Sequence, residues 1–593
     1  MYDENVSAEL GSSISLRRKS TTNHGTGEQL TEETIINADE LMENIIHPFG
    51  PWQWSIAFLL MFSVCSPMTF PVYANSASPH RCRMEPEIEL YISEHNFSFT
   101  EVASRIGPWM TDGNLTFSAQ QRGCSRYKLN WTSIVLDQVF AANTDFISGS
   151  IETERCPLGY VYELSKQHYP GNVVKEFETV CDRSWLVPLG TSLYLLGMSV
   201  GFLAGGWGGG KFGRKKALLC FCLLEFAGAV WTSLSPNYFS YVIARSFMSI
   251  GNIARITIGG VLMLELTVAR YRSIFNSILS FGINFFYRGL MALWAFLIPN
   301  WRLLNVAVMA PNLLSILCMF YLPESPRWLL SKNRFEEALE VLKHACRVNN
   351  PRDSLKGEKE LENIFRGVIK TEISLPKSLN SVDITADKPG FRPTSEVKHS
   401  YLKETILGIE IMAFMSFCFT GFLFYTRTLR SYVYLVGFLN ALFALPANLL
   451  YATIYRCTRY RKRPLMILIL FAGIILAAGS IYTVVFKPET DVVLIVSTNL
   501  SLVLTNASIA MLFLYIPELF PSEIRTQRLG LIMGVSRICA MMCTFVNELD
   551  FLWGHGVPLL FYSAALGLLF LSLAFMRDTS GENLPDVSHI PSR

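Results

Sequence analysis

LVPLGTSLYLLGMSVGFLAGGWG, residues 186–208, is followed at Lys211 to Lys216 by KFGRKK. The first segment carries no charged side chain and is long enough to cross a hydrocarbon core of roughly 30 Å as a helix. The second is a basic cluster of the kind that stays on the cytoplasmic face. Further apolar stretches occupy 51–74, 217–235, 238–264, 273–298 and 303–322. After a polar interval they resume at 403–425, 431–453, 464–486, 491–515, 529–551 and 556–576. That makes twelve spans in two sets of six. Composition agrees: half of the residues are hydrophobic and 17% are charged, against about 25% in soluble proteins. Disorder and collagen-like repeats are excluded, and a net charge of +3 is too small for a nucleic-acid binder.

The sequence therefore predicts an all-α integral membrane protein. Its expected parts are a cytoplasmic tail (1–50), helix 1 (51–74), an extracellular loop (75–185), helices 2–6 (186–322), a cytoplasmic loop with a short helix and a flexible linker (323–402), helices 7–12 (403–576) and a cytoplasmic tail (577–593). The first tail lacks the apolar run and cleavage site of a signal peptide, so helix 1 is retained. Basic residues concentrate after helices 2, 4 and 8, which puts both termini in the cytoplasm. The long loop then faces outside. It carries sequons at Asn96, Asn114 and Asn130 and four cysteines, Cys82, Cys124, Cys156 and Cys181. An even cysteine set in an oxidising compartment predicts two disulfides, with three pairings open. No metal site or cofactor is expected. Glycosylation and disulfides imply the secretory route and, with it, the plasma membrane.

The halves echo each other. Glu265 and Arg272 recur as Glu518 and Arg525, both at an offset of 253, and Glu324 recurs as Asp578. Repeated six-helix halves are one route to alternating access. Gly205 to Lys211 also matches the start of a phosphate-binding loop, but Phe212 replaces the required Ser or Thr and no strand precedes it. Gly197, Gly201 and Gly205, four residues apart, instead let helices approach closely.

Residues 171–216, PHRC at Pro79, PESPRWLL at Pro323 and YIPELFPSEIR at Tyr515 resemble signatures of the major facilitator superfamily, and within it of the family of organic cation, anion and carnitine transporters. The resemblance implies the twelve-helix fold of two six-helix bundles and transport of small organic ions. It also implies gating roles for Gly206, Gly213, Arg214, Lys215, Arg245, Glu265, Arg272, Glu324, Arg327, Glu518 and Arg525. One departure stands out. Gly210 occupies the position where the superfamily motif has an Asp that caps a helix and latches the cytoplasmic gate, so a looser outward-open latch is expected.

Charges inside spans are costly, on the order of 3 kcal/mol at the bilayer centre, and usually serve a purpose. Arg255, Arg288, Glu410 and Arg537 qualify, and Phe419 adds an aromatic wall. The family resemblance places an Arg at position 537 in anion transporters and an Asp in cation transporters. Met415 and Ala444 replace further acids typical of cation handling. Three arginines against one carboxylate predict a positive cavity that favours organic anions, which a guanidinium grips bidentately. Partners expected are a small organic ion and the lipid bilayer, with a second copy of the chain left open and nucleic acid excluded. The alternatives are a cation/carnitine-type transporter, or a receptor that has lost transport, for which Gly210, Ala444 and Ser249 would be the marks. Motifs of hydrolytic enzymes are absent.

Overall fold

The computed structural model describes residues 41–576 apart from 64–66, 77–78, 109–122, 132–151, 164–168, 333, 374–400, 430–431, 459–461, 489 and 521. The chain is a bundle of long apolar helices. Span 2 runs Leu186–Phe212, span 3 Arg214–Ser233, span 4 Tyr238–Glu265 and span 6 Trp301–Cys318; spans 7, 9, 10 and 12 run Leu402–Tyr425, Lys462–Phe486, Val492–Glu518 and Val557–Phe575. Among the described residues eleven helices are long and apolar enough to cross a membrane, and Trp301–Leu317 is a shorter twelfth. Polar caps set several starts: Asn237 accepts from the Ser240 amide and Asn300 from the Arg302 amide, satisfying donors that an isolated helix leaves unpaired.

Four spans are interrupted. Span 1 is helical over Pro51–Ser63, has a 3-10 turn at Pro67–Thr69 and resumes over Phe70–Ala74. Span 5 joins Ala269–Phe281 to Tyr287–Leu297 through a π turn at Gly282–Phe286. Span 8 breaks between Val433–Leu442 and Ala444–Cys457, and span 11 between Ser522–Ala540 and Met542–Leu552. Single π turns inside helices occur often at functional sites.

Spans 2 and 4 pack backbone to backbone. A Cβ on Gly197 would overlap Ser249, one on Gly201 would overlap Ile253, and one on Gly205 would lie 2.9 Å from the Ala254 Cα. The small-residue stripe thus works as the spacing predicts. One deviation lies after Asn349. Instead of a linker, an amphipathic helix occupies Ser354–Ile373 and packs Leu361 and Phe365 against the N-terminal segment Leu41–Ile46 and helix Phe335–Asn349. The pairs Arg347–Glu358 and Lys343–Glu362 flank that contact. Its charge density hid the apolar stripe. Asn349 fastens this unit to span 1 by accepting from the Trp52 amide and donating to the Ile46 carbonyl.

The inserted region between spans 1 and 2 holds two short antiparallel pairs, His80–Cys82 with Tyr160–Tyr162 and Ser125–Tyr127 with Thr153–Arg155. Its cysteines pair 82–156 and 124–181. His80 lies near Cys124 and Cys181, but the sulfurs of that pair are bonded to each other. Asn96 and Asn130 are exposed; Asn114 lies outside the described residues. Below, the end of the bundle carrying this region is the loop end and the opposite one the motif end.

Candidate functional site

At the motif end, PESPRW closes the ends of three helices of the N-terminal half. Gly213 sits at φ +95°, a conformation that favours glycine, and turns the chain between spans 2 and 3. The exposed amides that follow are taken by Glu324: the Arg214 N–H donates to its Oε1 at 2.7 Å and the Lys215 N–H to its Oε2 at 3.2 Å. A carboxylate at a helix N-terminus is favoured by both the hydrogen bonds and the helix dipole. The Arg327 Nε donates to the Glu265 carbonyl and its Nη2 to the Thr267 carbonyl, which covers the end of span 4. The Trp328 Nε1 donates to the Gly210 carbonyl at 3.0 Å, which covers the end of span 2. Arg214 grips Glu265 bidentately, at 2.8 and 2.6 Å, and donates to the Gly209 carbonyl. The expected cluster of Gly206, Gly213, Arg214, Lys215, Glu265, Glu324 and Arg327 is therefore a local fact of one half. The helix cap that the resemblance gives to an Asp at 210 is made here by Glu324. Gly210 itself is exposed, with nothing within 4 Å of a built Cβ. The side chains of Arg272, Glu518 and Arg525 lie outside the described ones.

The halves meet toward the loop end. The Ser192 and Thr544 hydroxyls are 2.6 Å apart, the Ser199 hydroxyl donates to the Gly534 carbonyl at 2.7 Å, and Tyr73 stacks on Tyr434 at 6.3 Å. Beyond Leu203, which lies 3.2 Å from a Cβ built on Gly534, spans 2 and 11 part. Gly206 and Gly530 face open space.

Between the halves lie three buried arginines. Arg288 is 6% exposed and its guanidinium carbon lies 5.6 Å from the Phe419 ring. Arg537 is 8% exposed and lies 5.6 Å from the Phe202 ring. The Nη1 of each has no hydrogen-bond partner. Arg245, assigned to gating above, sits 4.7 Å from both Phe70 and Tyr194, and neither of its Nη atoms has a partner. Thr69, Val72 and Tyr73 of span 1, Leu423 of span 7, and Gly437 and Asn440 of span 8 line a small cavity at Arg288. Arg288 follows the π turn directly. Thr69, Asn440 and Arg537 likewise lie within a few residues of the breaks in spans 1, 8 and 11. Each interrupted span thus presents a polar side chain where its helix fails. Sequence reading missed Thr69, Tyr73 and Asn440; Pro67, Pro71 and Pro446 beside those breaks were the available signal.

Two expected site residues stand elsewhere. Arg255 is not free for a solute. It is fully buried inside the N-terminal half, 2.7 Å from Glu225 of span 3 and bonded to Asn312 and Ser315 of span 6. Asn252 donates to the other Glu225 oxygen at 2.8 Å. The carboxylate neutralises the guanidinium, so Arg255 adds no net charge to the space between the halves. Glu410 is exposed and accepts from the Ser572 hydroxyl at 2.6 Å. It lies roughly 13 Å along span 7 from Phe419, at 1.5 Å per residue, and does not join the arginines.

The loop end of the C-terminal half holds a third charged group. In the turn between spans 11 and 12, His555 is 2.8 Å from Asp550 through Nδ1 and 2.9 Å from Asp491 through Nε2. Tyr425 donates to Asp550 at 2.6 Å, as does the Gly556 amide at 2.9 Å. Burial opposes the charge on His555, but the two carboxylate hydrogen bonds prevail and raise its pKa from 6.5 to about 9.

The family described as sugar (and other) transporter matches residues 156–590. The human organic cation/carnitine transporter 2 is 26% identical over 554 residues, covering 91% of each chain. The organic cation transporter protein of Drosophila melanogaster is 25% identical and covers 88% of this chain and 90% of its own. Mouse solute carrier family 22 member 2 is 30% identical over 325 residues, 52% of this chain. Among solved structures, the inward open xylose transporter XylE from E. coli superposes with a TM-score of 0.52 at 19% identity, over 68% of this chain and 88% of its own. The motif-end caps, the twelve helices in two halves and these likenesses agree: the chain is a multi-pass membrane protein of the major facilitator fold and belongs to the sugar (and other) transporter family of that superfamily.

Proposed function

We propose that the chain carries small organic ions across the plasma membrane by alternating access, with both termini in the cytoplasm, and that it favours organic anions. The observation that carries the anion preference is the pair Arg288 and Arg537. Both are buried between the halves, and neither forms an ion pair with a described carboxylate. A buried guanidinium without a counter-charge is costly, and a solute carboxylate or sulfate would relieve that cost while the low dielectric strengthens the attraction. Phe419 and Phe202 supply apolar walls. Contact toward the loop end and separation near Gly206 and Gly530 support a state closed outside and open inside. Arg214, Glu265, Glu324 and Arg327 hold the cytoplasmic ends of one half as a unit that rocks against the other.

The relatives named for organic cations and carnitine favour a second reading, a zwitterion whose carboxylate meets an arginine and whose ammonium lies on an aromatic face. Uptake of labelled anions, cations and zwitterions into expressing cells separates the two. Anion uptake that falls when Arg537 is replaced supports the first reading. Cation uptake indifferent to Arg537→Ala, with no anion uptake, overturns it.

A further inference from the structure

The cavity at Arg288 is too small for an organic solute. Its free volume is about 10 Å³ for the centre of a water-sized sphere, whereas sites for drug-sized ligands span about 300–1,000 Å³. Yet its lining is built for an anion. Arg288 Nη1 and the Thr69 hydroxyl both border it, both are more than nine-tenths buried, and neither has a hydrogen-bond partner. Tyr73 brings a third hydroxyl, set against Gly437 so closely that a Cβ there would overlap it. Asn440 is held in place by its bond to the Thr426 hydroxyl at 2.5 Å. Val72 and Leu423 complete the wall, and no carboxylate is among the lining residues.

A positive charge with unspent donors, a space of single-atom scale and no protein counter-charge specify one kind of occupant. We propose that Arg288, Thr69 and Tyr73 bind a small monovalent inorganic anion, chloride in physiological media, at the junction of spans 1, 5, 7 and 8. Water has the size but leaves the guanidinium uncompensated, and buried charges are paired. The site draws residues from both halves: Thr69, Tyr73 and Arg288 from one, Leu423, Gly437 and Asn440 from the other. A bound chloride therefore favours the arrangement in which these elements meet. The proposal goes beyond organic-ion transport and stands without it, because binding is measurable in the absence of any organic solute.

The test is equilibrium binding of radiolabelled chloride to the purified full-length chain, with gluconate as the replacing anion. Saturable binding near one chloride per chain is expected. Arg288→Ala should weaken it about tenfold or more and Thr69→Val several-fold, while Arg537→Ala leaves it in place. Arg288→Lys, which keeps the charge, should retain partial binding and guards against misfolding of the Ala variant. No saturable binding, or binding indifferent to Arg288 and Thr69, overturns the proposal. Displacement of chloride by a transported organic anion, one for one, also overturns it, since the cavity would then be the solute's own subsite. Organic-anion uptake that persists in chloride-free medium, with no chloride binding, sinks this proposal and leaves the transport reading intact.

Discussion

Arg288 belongs to the N-terminal half and Arg537 to the C-terminal half, and each guanidinium lies 5.6 Å from an aromatic ring supplied by the opposite half, Phe419 and Phe202 respectively. The arrangement is reciprocal across the boundary along which the halves must separate. A hydrogen bond to a charged group contributes about 1.5–3 kcal/mol, so Arg537→Ala should lower kcat/KM for a transported organic anion roughly 10–100-fold. Phe202→Ala should cost less, about 1 kcal/mol or roughly fivefold. Uptake kinetics in expressing cells decide this; equal losses for both variants would count against a direct charge contact.

The Glu225–Arg255 pair makes a contrasting prediction. Removing one partner of a buried ion pair leaves an uncompensated charge and costs about 3–5 kcal/mol, whereas replacing both with apolar residues is often neutral. Arg255→Met and Glu225→Leu alone should each lower the melting temperature of the detergent-purified chain sharply, and the double variant should recover most of the loss. A double variant as unstable as the worse single one would assign Arg255 another role.

Glu324 does the capping that position 210 lacks the side chain for. Glu324→Gln keeps one acceptor but loses the charge facing two helix amides, a change on the order of 1 kcal/mol. It should slow transport without abolishing surface expression. Gly210→Asp meets open space, so it should fold normally, and sidedness of substrate protection would then report any added latch. Unchanged transport in both variants would remove this end of the molecule from the gating scheme.

His555 gives the pH dependence a sign. With its pKa raised to about 9, the charged imidazole contributes stability that is fully present below about 6.5 and lost as pH rises through about 9. The melting temperature of the wild-type chain should therefore fall between pH 7 and pH 10, and His555→Asn should flatten that fall. A shift of this size corresponds to about 3 kcal/mol. Parallel pH profiles of the two proteins would refute the contribution.

The architecture was legible because apolar runs of bilayer length carry few charges, and Arg288, Arg537 and Phe419 were found because a charge or ring between long apolar neighbours is conspicuous. Other parts were not. Glu225 escaped notice because LLEFAG reads as an apolar turn of span 3, and its partner is 30 positions away on another helix. With Glu225 unseen, Arg255 was counted as free and Arg245 was set apart, although Phe70 and Tyr194, not a carboxylate, surround Arg245. Thr69 and Asn440 were missed for a different reason. They matter only because their helices break beside them, and GINFF in span 5 shows how little local sequence marks such a break.

Those interruptions in spans 1, 5, 8 and 11 change what the molecule must bend in order to work. A continuous helix transmits a tilt over its whole length, so opening one mouth would drag the other. A rod jointed at mid-depth can swing its inner segment while the outer one stays seated, and the solute contacts sit at the joints. Stiffening a single joint, as with Gly282→Ala in the π turn, should therefore slow the cycle at one step and leave the resting affinity for the solute nearly intact.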